Sequence, residues 1–324
     1  MNLDAAAPYR DNRIVRLLGC RYPLMQGGMA WVADAELAAA VSNGGGLGII
    51  AASNMPPELL EKELLKVRTL TDRPFGLNIM LMSPTVEAVI GLAEKHRVPI
   101  VTTGAGSPGK VIDRLKPGGT IIVPVVASVA QAKRVEKQGA DAVVAEGMEA
   151  GGHIGELTTM VLIPQIVDSV GIPVVAAGGI ADARGVVAAF ALGAEGVQVG
   201  TRFICCCEST VHPAYKEAVI SARDRSNVVT GRFTGHPVRC LKNKLTSRFE
   251  ELEKENASVE EYEKLGAGRL RAAVVEGDVE WGSVMAGQSA ALVNEILPAA
   301  EIIESMFVGA GKIMGSLAAV ASLG

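Results

Sequence analysis

From Tyr22 to Arg202 the chain alternates short apolar runs with longer stretches of helical period. The runs are YPLMQGG (22–28), GLGIIAA (46–52), FGLNIML (75–81), IVTTGAG (100–106), TIIVPVV (120–126), AVVAEG (142–147), PVVAAGG (173–179) and GVQVGT (196–201). Each is nearly continuous in its hydrophobicity, the pattern of a strand buried in a parallel sheet whose faces are both covered. The intervening stretches, such as PELLEKELLKVRTL and DARGVVAAFALG, repeat apolar residues at helical spacing. Several open on proline or a capping residue and end at glycine, the expected helix punctuation. Eight strand–helix units in about 180 residues predict a (β/α)8 TIM barrel, with a doubly wound open sheet as the alternative.

After Arg202 the pattern breaks. Residues 205–282 carry weaker strand signals and the run RFEELEKENASVEEYEKL, whose alternating charges predict a solvated helix with i,i+4 pairs. Apolar helical period returns at GSVMAGQSAALVNEIL. The expected organisation is a barrel over 1–204, a small cap inserted after the eighth strand over 205–282, and C-terminal helices over 283–324 that complete the barrel.

Composition narrows the classes. The chain has 324 residues, 49% hydrophobic, only 4% aromatic, with a net charge of −4. That length supports a large core, and the charge gives no bias toward nucleic acid or an anionic membrane. Five cysteines, three of them adjacent (Cys205, Cys206, Cys207), form no disulfide framework or metal spacing and predict free thiols. No secretion signal precedes Gly19, and no run of about 18 uninterrupted apolar residues predicts a membrane span. The expectation is a soluble cytoplasmic protein.

The functional face of such a barrel lies at the C-terminal ends of its strands. Here those ends are polar or glycine-rich: Gln26-Gly27-Gly28-Met29, Asn78, Thr102-Thr103-Gly104, Glu146-Gly147, Gly178-Gly179 and Gln198-Val199-Gly200-Thr201. Barrels commonly hold a phosphate on the loops after strands seven and eight, so Gly178-Gly179 with Gly200-Thr201 form a candidate phosphate cradle. GAGSPG (104–109) matches a dinucleotide fingerprint, but no acid follows at the next strand end in IIVPVVAS. GLGIIA (46–51) lies inside a strand, so neither supports a separate nicotinamide domain.

His153 stands in EGMEAGGHIG, beside four glycines on that same face. It is the candidate catalytic residue, against the ordinary reading of a satisfied structural histidine. His212 and His236 read as structural or surface groups in the cap, and His96 as a helix-terminal imidazole. No spacing suggests a metal site. In RCLKNKLTSR, Arg239, Lys242, Lys244 and Arg248 read as a solvated basic face; docking an acidic carrier protein or nucleotide phosphates is the alternative. The cysteine triplet reads as buried thiols.

Together PLMQGGMAWVAD, GGGLGII, FGLNIMLMSP, IVTTGAG, GMEAGGHIG, VVAAGGIAD, VQVGTRF and GSVMAGQ resemble the FMN-dependent enoyl-acyl-carrier-protein reductases, within the wider nitronate monooxygenase-like flavoproteins. The resemblance runs from about Arg13 to at least Gln288, with the blocks in order. It implies one FMN per chain, NADH or NADPH as co-substrate, an acyl-carrier-protein thioester substrate, a homodimer and sometimes a monovalent cation. It also implies that the flavin contacts Gly27, Gly28 and Met29, flanked by Asn78, Thr103, Glu146 and Gly152. The phosphate would sit at Gly178, Gly179, Gly200 and Thr201, with Gln198, Met285, Gly287 and Gln288 completing the surroundings. The implied activity is reduction of a trans-2-enoyl thioester by NAD(P)H in fatty-acid elongation, with His153 as proton or hydrogen-bond donor. Nitronate monooxygenase and NAD(P)H-quinone reductase are alternatives on the same scaffold. A non-catalytic flavin- or phosphate-binding protein is the alternative of another class.

Overall fold

The computed structural model describes residue 6 and residues 9–53 and 55–321. Eight parallel strands form one sheet: β1 (Leu24–Gln26), β2 (Gly48–Ala51), β3 (Phe75–Met80), β4 (Ile100–Gly104), β5 (Ile121–Val126), β6 (Val143–Glu146), β8 (Val174–Ala177) and β9 (Gly196–Val199). All eight fall within the apolar runs. The pairing order β1-β9-β8-β6-β5-β4-β3-β2 leaves β1 and β2 at the two ends. They meet through a parallel bridge between Met25 and Leu47, and Leu47 N donates to Leu24 O at 2.8 Å. The sheet thus comes round on itself as a (β/α)8 barrel.

Burial follows from this closure. One apolar cluster joins Met25, Leu47, Ile49, Val123, Val144 and Val175 from alternate strand positions with Ile14 and Leu18. Ile14 and Leu18 belong to the short helix Arg13–Leu18, capped by Asn12, which accepts from Ile14 N and Val15 N. Two larger clusters pack the outer strand faces beneath the helices. With both strand faces buried, the runs must be apolar throughout, the pattern the sequence shows.

The segment after β9 builds a small second sheet, ordered β10-β11-β7 and antiparallel throughout. Strands β10 (Asn227–Thr230) and β11 (Val238–Leu241) come from the inserted region. Strand β7 (Gly152–His153) comes from the loop after β6. The charged run forms two helices rather than one, Lys244–Lys254 and Val259–Gly266. Ser258 explains the break: its side chain accepts from Glu261 N while Glu261 accepts from Ser258 N, a capping box that starts a new helix.

The last helix runs from Ala299 to Ala321. Its Ala299–Val320 stretch is long and apolar enough to cross a membrane by length and composition. Its first half is explained by packing: Ile302, Ile303, Met306, Phe307 and Ala310 are buried. Phe307 stacks on Tyr22 with centroids 4.8 Å apart and meets the edge of Tyr9 at 5.1 Å.

Candidate active site

The candidate residues converge at the C-terminal mouth of the barrel because the parallel strands deliver their ends to one side. Gln26 is fully buried at the end of β1, and its Oε1 accepts from Ile49 N at 3.0 Å. Gly27 N donates to Val199 O at 2.9 Å, which joins the β1 turn to β9. A Cβ on Gly27 would lie 3.7 Å from Gln198 Nε2 and from Gly200 Cα, so Gly27, Gln198 and Gly200 form one contiguous surface. Met29 continues it, its Sδ 3.5 Å from the Cβ position of Gly200. On the other side Asn78 fills the space a side chain on Gly28 would need. Its Nδ2 donates to Thr102 Oγ1 at 2.9 Å. Thr103, one residue on, is buried beside them.

The return segment closes the mouth. Gly287 N donates to Thr201 Oγ1 at 2.9 Å, and Gln288 N donates to Glu149 O at 2.9 Å. A Cβ on Gly151 would meet Ala286 C at 2.6 Å and Gly287 N at 2.7 Å, so the two backbones touch. Met285 Sδ is 3.4 Å from the Cβ position of Gly152. Gly287 is therefore brought to Thr201 across 86 residues of chain, and Met285 and Gln288 beside it meet the loop that carries Glu149 and Gly152.

His153 is not in an unstructured loop. Strand β7 pairs it with Val238 of β11, and Ile154 N donates to Pro237 O at 3.1 Å. The cap sheet thus fixes the backbone of His153 while its side chain stays exposed at the mouth. Surrounding protein lowers its pKa by desolvation, and the charge of His236 adds to the lowering. Glu146, at the end of β6, has its carboxyl pKa pushed up to about 7 by burial. A buried carboxyl so perturbed in a cleft marks a functional position.

The phosphate-loop candidates have the conformation that requires glycine. Gly178 and Gly179 lie at φ +94° and +76°, where other residues are strained. A Cβ on Gly178 would come within 2.6 Å of Gly147 O. Two adjacent strand ends thus present backbone rather than side chains, while the buried Gln198 and the half-buried Asn78 and Glu146 supply polar groups at the strand ends; Thr103 is buried one position on from Thr102, whose hydroxyl meets Asn78. That donor set fits FMN, which carries a phosphate at one end and a polar ring at the other. No group of three or more His, Cys, Asp or Glu suited to a metal ion occurs among the described residues.

The structure alters the reading of the basic run. Arg239 is buried, not solvated, and donates through Nε and Nη2 to Met148 O at 3.2 and 3.0 Å. Lys244 pairs with Glu280, and Arg248 with Glu251 and Glu255. Sequence reasoning missed Arg239, Glu149 and Thr159 as anchors of the EGMEAGGHIG loop. Glu149 accepts from Thr159 N at 3.1 and 3.0 Å and from Thr159 Oγ1 at 2.9 Å. A carboxylate four residues ahead of His153 and ten ahead of Thr159 was the one available signal. Of the cysteine triplet, Cys205 and Cys206 are buried free thiols, and Cys207 is exposed.

A family model described as nitronate monooxygenase matches residues 11–90 and 85–309. The fold superposes on FabK from Thermotoga maritima with a TM-score of 0.93 and 50% identity, covering 95% of this chain and 99% of that one. A probable nitronate monooxygenase of Staphylococcus saprophyticus is 35% identical, over 94% of this chain and 99% of its own. A (3aS,4S,5R,7aS)-5-hydroxy-7a-methyl-1-oxo-octahydro-1H-indene-4-carboxyl-CoA dehydrogenase of Mycobacterium tuberculosis is 32% identical, over 92% and 95%.

Proposed function

The chain belongs to the nitronate monooxygenase family of FMN-dependent oxidoreductases, and from that premise we propose that it reduces trans-2-enoyl-acyl-carrier-protein with NAD(P)H. The 50% identity with FabK over nearly the whole of both chains favours the reductase over its sister activities. One structural observation supports the site assignment: the antiparallel pairing of β7 with β11 fixes the backbone of His153 next to Gly152.

FMN, when bound, would supply the two-electron redox chemistry that links NAD(P)H oxidation to reduction of the enoyl double bond. The chain's own work is orientation and proton control. Gly178, Gly179, Gly200 and Thr201 would hold the phosphate, their glycines allowing the backbone to approach it. Gly27, Gly28 and Met29 would support the ring, and Asn78, Thr103, Gln198 and Glu146 would supply hydrogen-bonding groups to the cofactor. Gly152, Met285, Gly287 and Gln288 wall the mouth and exclude water.

Hydride arrival at the β-carbon would build charge on the thioester oxygen, and solvent water would then supply the proton that the α-carbon takes. The lowered pKa of His153 keeps its ring neutral near pH 7. A neutral imidazole retains one N–H, which it donates to the thioester oxygen. The domain reading stays with this proposal: a barrel to residue 204, a cap over 205–282 that carries β10 and β11, and a closing segment from 283. So do a homodimeric state and a cytoplasmic location, which the free thiols of all five cysteines support.

Replacing His153 by Ala tests the assignment. The variant keeps FMN and is reduced by NADH at close to the wild-type rate, while reoxidation by an enoyl thioester slows about 10²-fold. Reoxidation at the wild-type rate removes His153 from the chemistry.

A further inference from the structure

Glu149 stands between two parts of the mouth that the sequence treats separately. Its carboxylate accepts three contacts from Thr159, the first residue of the helix Thr159–Val167. Thr159 Oγ1 also lies 3.0 Å from Gly178 O. A hydroxyl has one hydrogen to give, so the contact to Glu149 and the contact to Gly178 compete for it. The Glu149 side chain further packs against Gly179, 3.4 Å from where a Cβ would stand. On one side, then, Glu149 is fastened to the left-handed Gly178–Gly179 turn.

On the other side it is fastened to the loop that leads to His153. Glu149 O accepts from Gln288 N, and the preceding residue, Met148, gives its carbonyl to the buried Arg239 guanidinium. Arg239 pairs with Gly152 in the β11–β7 ladder, and the next β7 residue is His153. The path from turn to histidine is continuous through protein contacts. Each link is a hydrogen bond, a van der Waals contact or a ladder pair.

We propose that Glu149 is a positioning residue that couples the Gly178–Gly179 turn to the His153 loop, so that occupation of the turn by the cofactor phosphate orders His153. This rests on the reading of the turn as the FMN phosphate cradle. The coupling depends on reach: the side chain must span from the loop to Thr159. Glutamine has the same length and an acceptor oxygen; aspartate is one methylene short, and alanine has no acceptor.

The test follows amide hydrogen exchange in residues 148–155 of the stripped protein, with and without FMN, and compares Glu149→Gln, Glu149→Asp and Glu149→Ala. FMN is expected to slow exchange in this loop about tenfold in wild type and Glu149→Gln, and to leave it unchanged in Asp and Ala variants that still bind FMN. In the same variants, flavin reduction by NADH stays within about threefold of wild type, while reoxidation by enoyl thioester falls about 10²-fold, the cost of a misplaced group. A structural role alone would depress both half-reactions together. If Glu149→Ala does not fold, the Asp and Gln pair decides, since equal protection in the two overturns the proposal. Equal FMN-induced protection in wild type and Glu149→Ala also overturns it, as does absence of protection in a wild type that binds FMN. Failure of wild type to bind FMN at all overturns instead the cofactor reading on which it stands.

Discussion

Two titratable residues at the mouth are shifted in directions that function can use. Burial raises the carboxyl of Glu146 to about 7, above the range of an unfolded glutamate near 4.3. The folded protein therefore binds a proton there that the unfolded chain has released, and stability falls as pH rises from about 4.3 to about 7, then levels. Denaturant titration of the stripped protein at pH 5 and pH 8 is expected to show a loss of a few kcal/mol that Glu146→Gln lacks; an equal pH dependence in the variant contradicts the shift. His153 moves the other way, with desolvation first and His236 second. His236→Ala should raise the pKa of His153 toward 6.5 in an NMR titration, and no movement would show that His236 is not a cause. At this scale the candidate ligand-facing groups were legible in the sequence, and the groups that hold them in place were not. His153 and the glycines could be read because rarity and composition marked them. Glu149 and Arg239 could not, since their partners Thr159 and Met148 lie 10 and 91 residues away and no local period encodes a lateral hydrogen bond.

Among elements, strands covered on both faces announce themselves by unbroken hydrophobicity, and all eight barrel strands were readable for that reason. Strand β7 has two residues and no period at all. It exists only because the cap hairpin reaches across to pair with it, so nothing in EGMEAGGHIG alone could reveal it. Strands β10 and β11 have four residues each, too few to show a period, which hid them in the same way. The turn after β8 is the element most exposed to a single change. Gly178→Ala places a Cβ in a left-handed residue, 2.6 Å from Gly147 O. Strain of roughly 1–3 kcal/mol is expected, together with weaker FMN retention on gel filtration. Retention equal to wild type would remove this turn from the cofactor site.

Across the whole molecule, the chain leaves the barrel after β9, builds the cap, and returns through Gly287 and Gln288 to seal the mouth before its last helix packs on the outside. The aromatic contacts of Phe307 with Tyr22 and Tyr9 tie that helix to the segments beside β1. Phe307→Ala should cost about 3–5 kcal/mol in denaturant unfolding, and a loss below about 1 kcal/mol would mean that the helix contributes little to the barrel. The apolar composition of this helix concealed its role, since a buried helix and a spanning one share it. The central claim is that these parts make a flavin reductase of enoyl thioesters. Its most direct test is an anaerobic single turnover: the flavin absorbance of the purified protein is bleached with one equivalent of NADH or NADPH, and a trans-2-enoyl-acyl-carrier-protein is then mixed in. Rapid return of the oxidised band with formation of the saturated thioester is the predicted result. A band that stays bleached until oxygen, a quinone or a nitronate is added would contradict it and assign the chain to one of the sister chemistries.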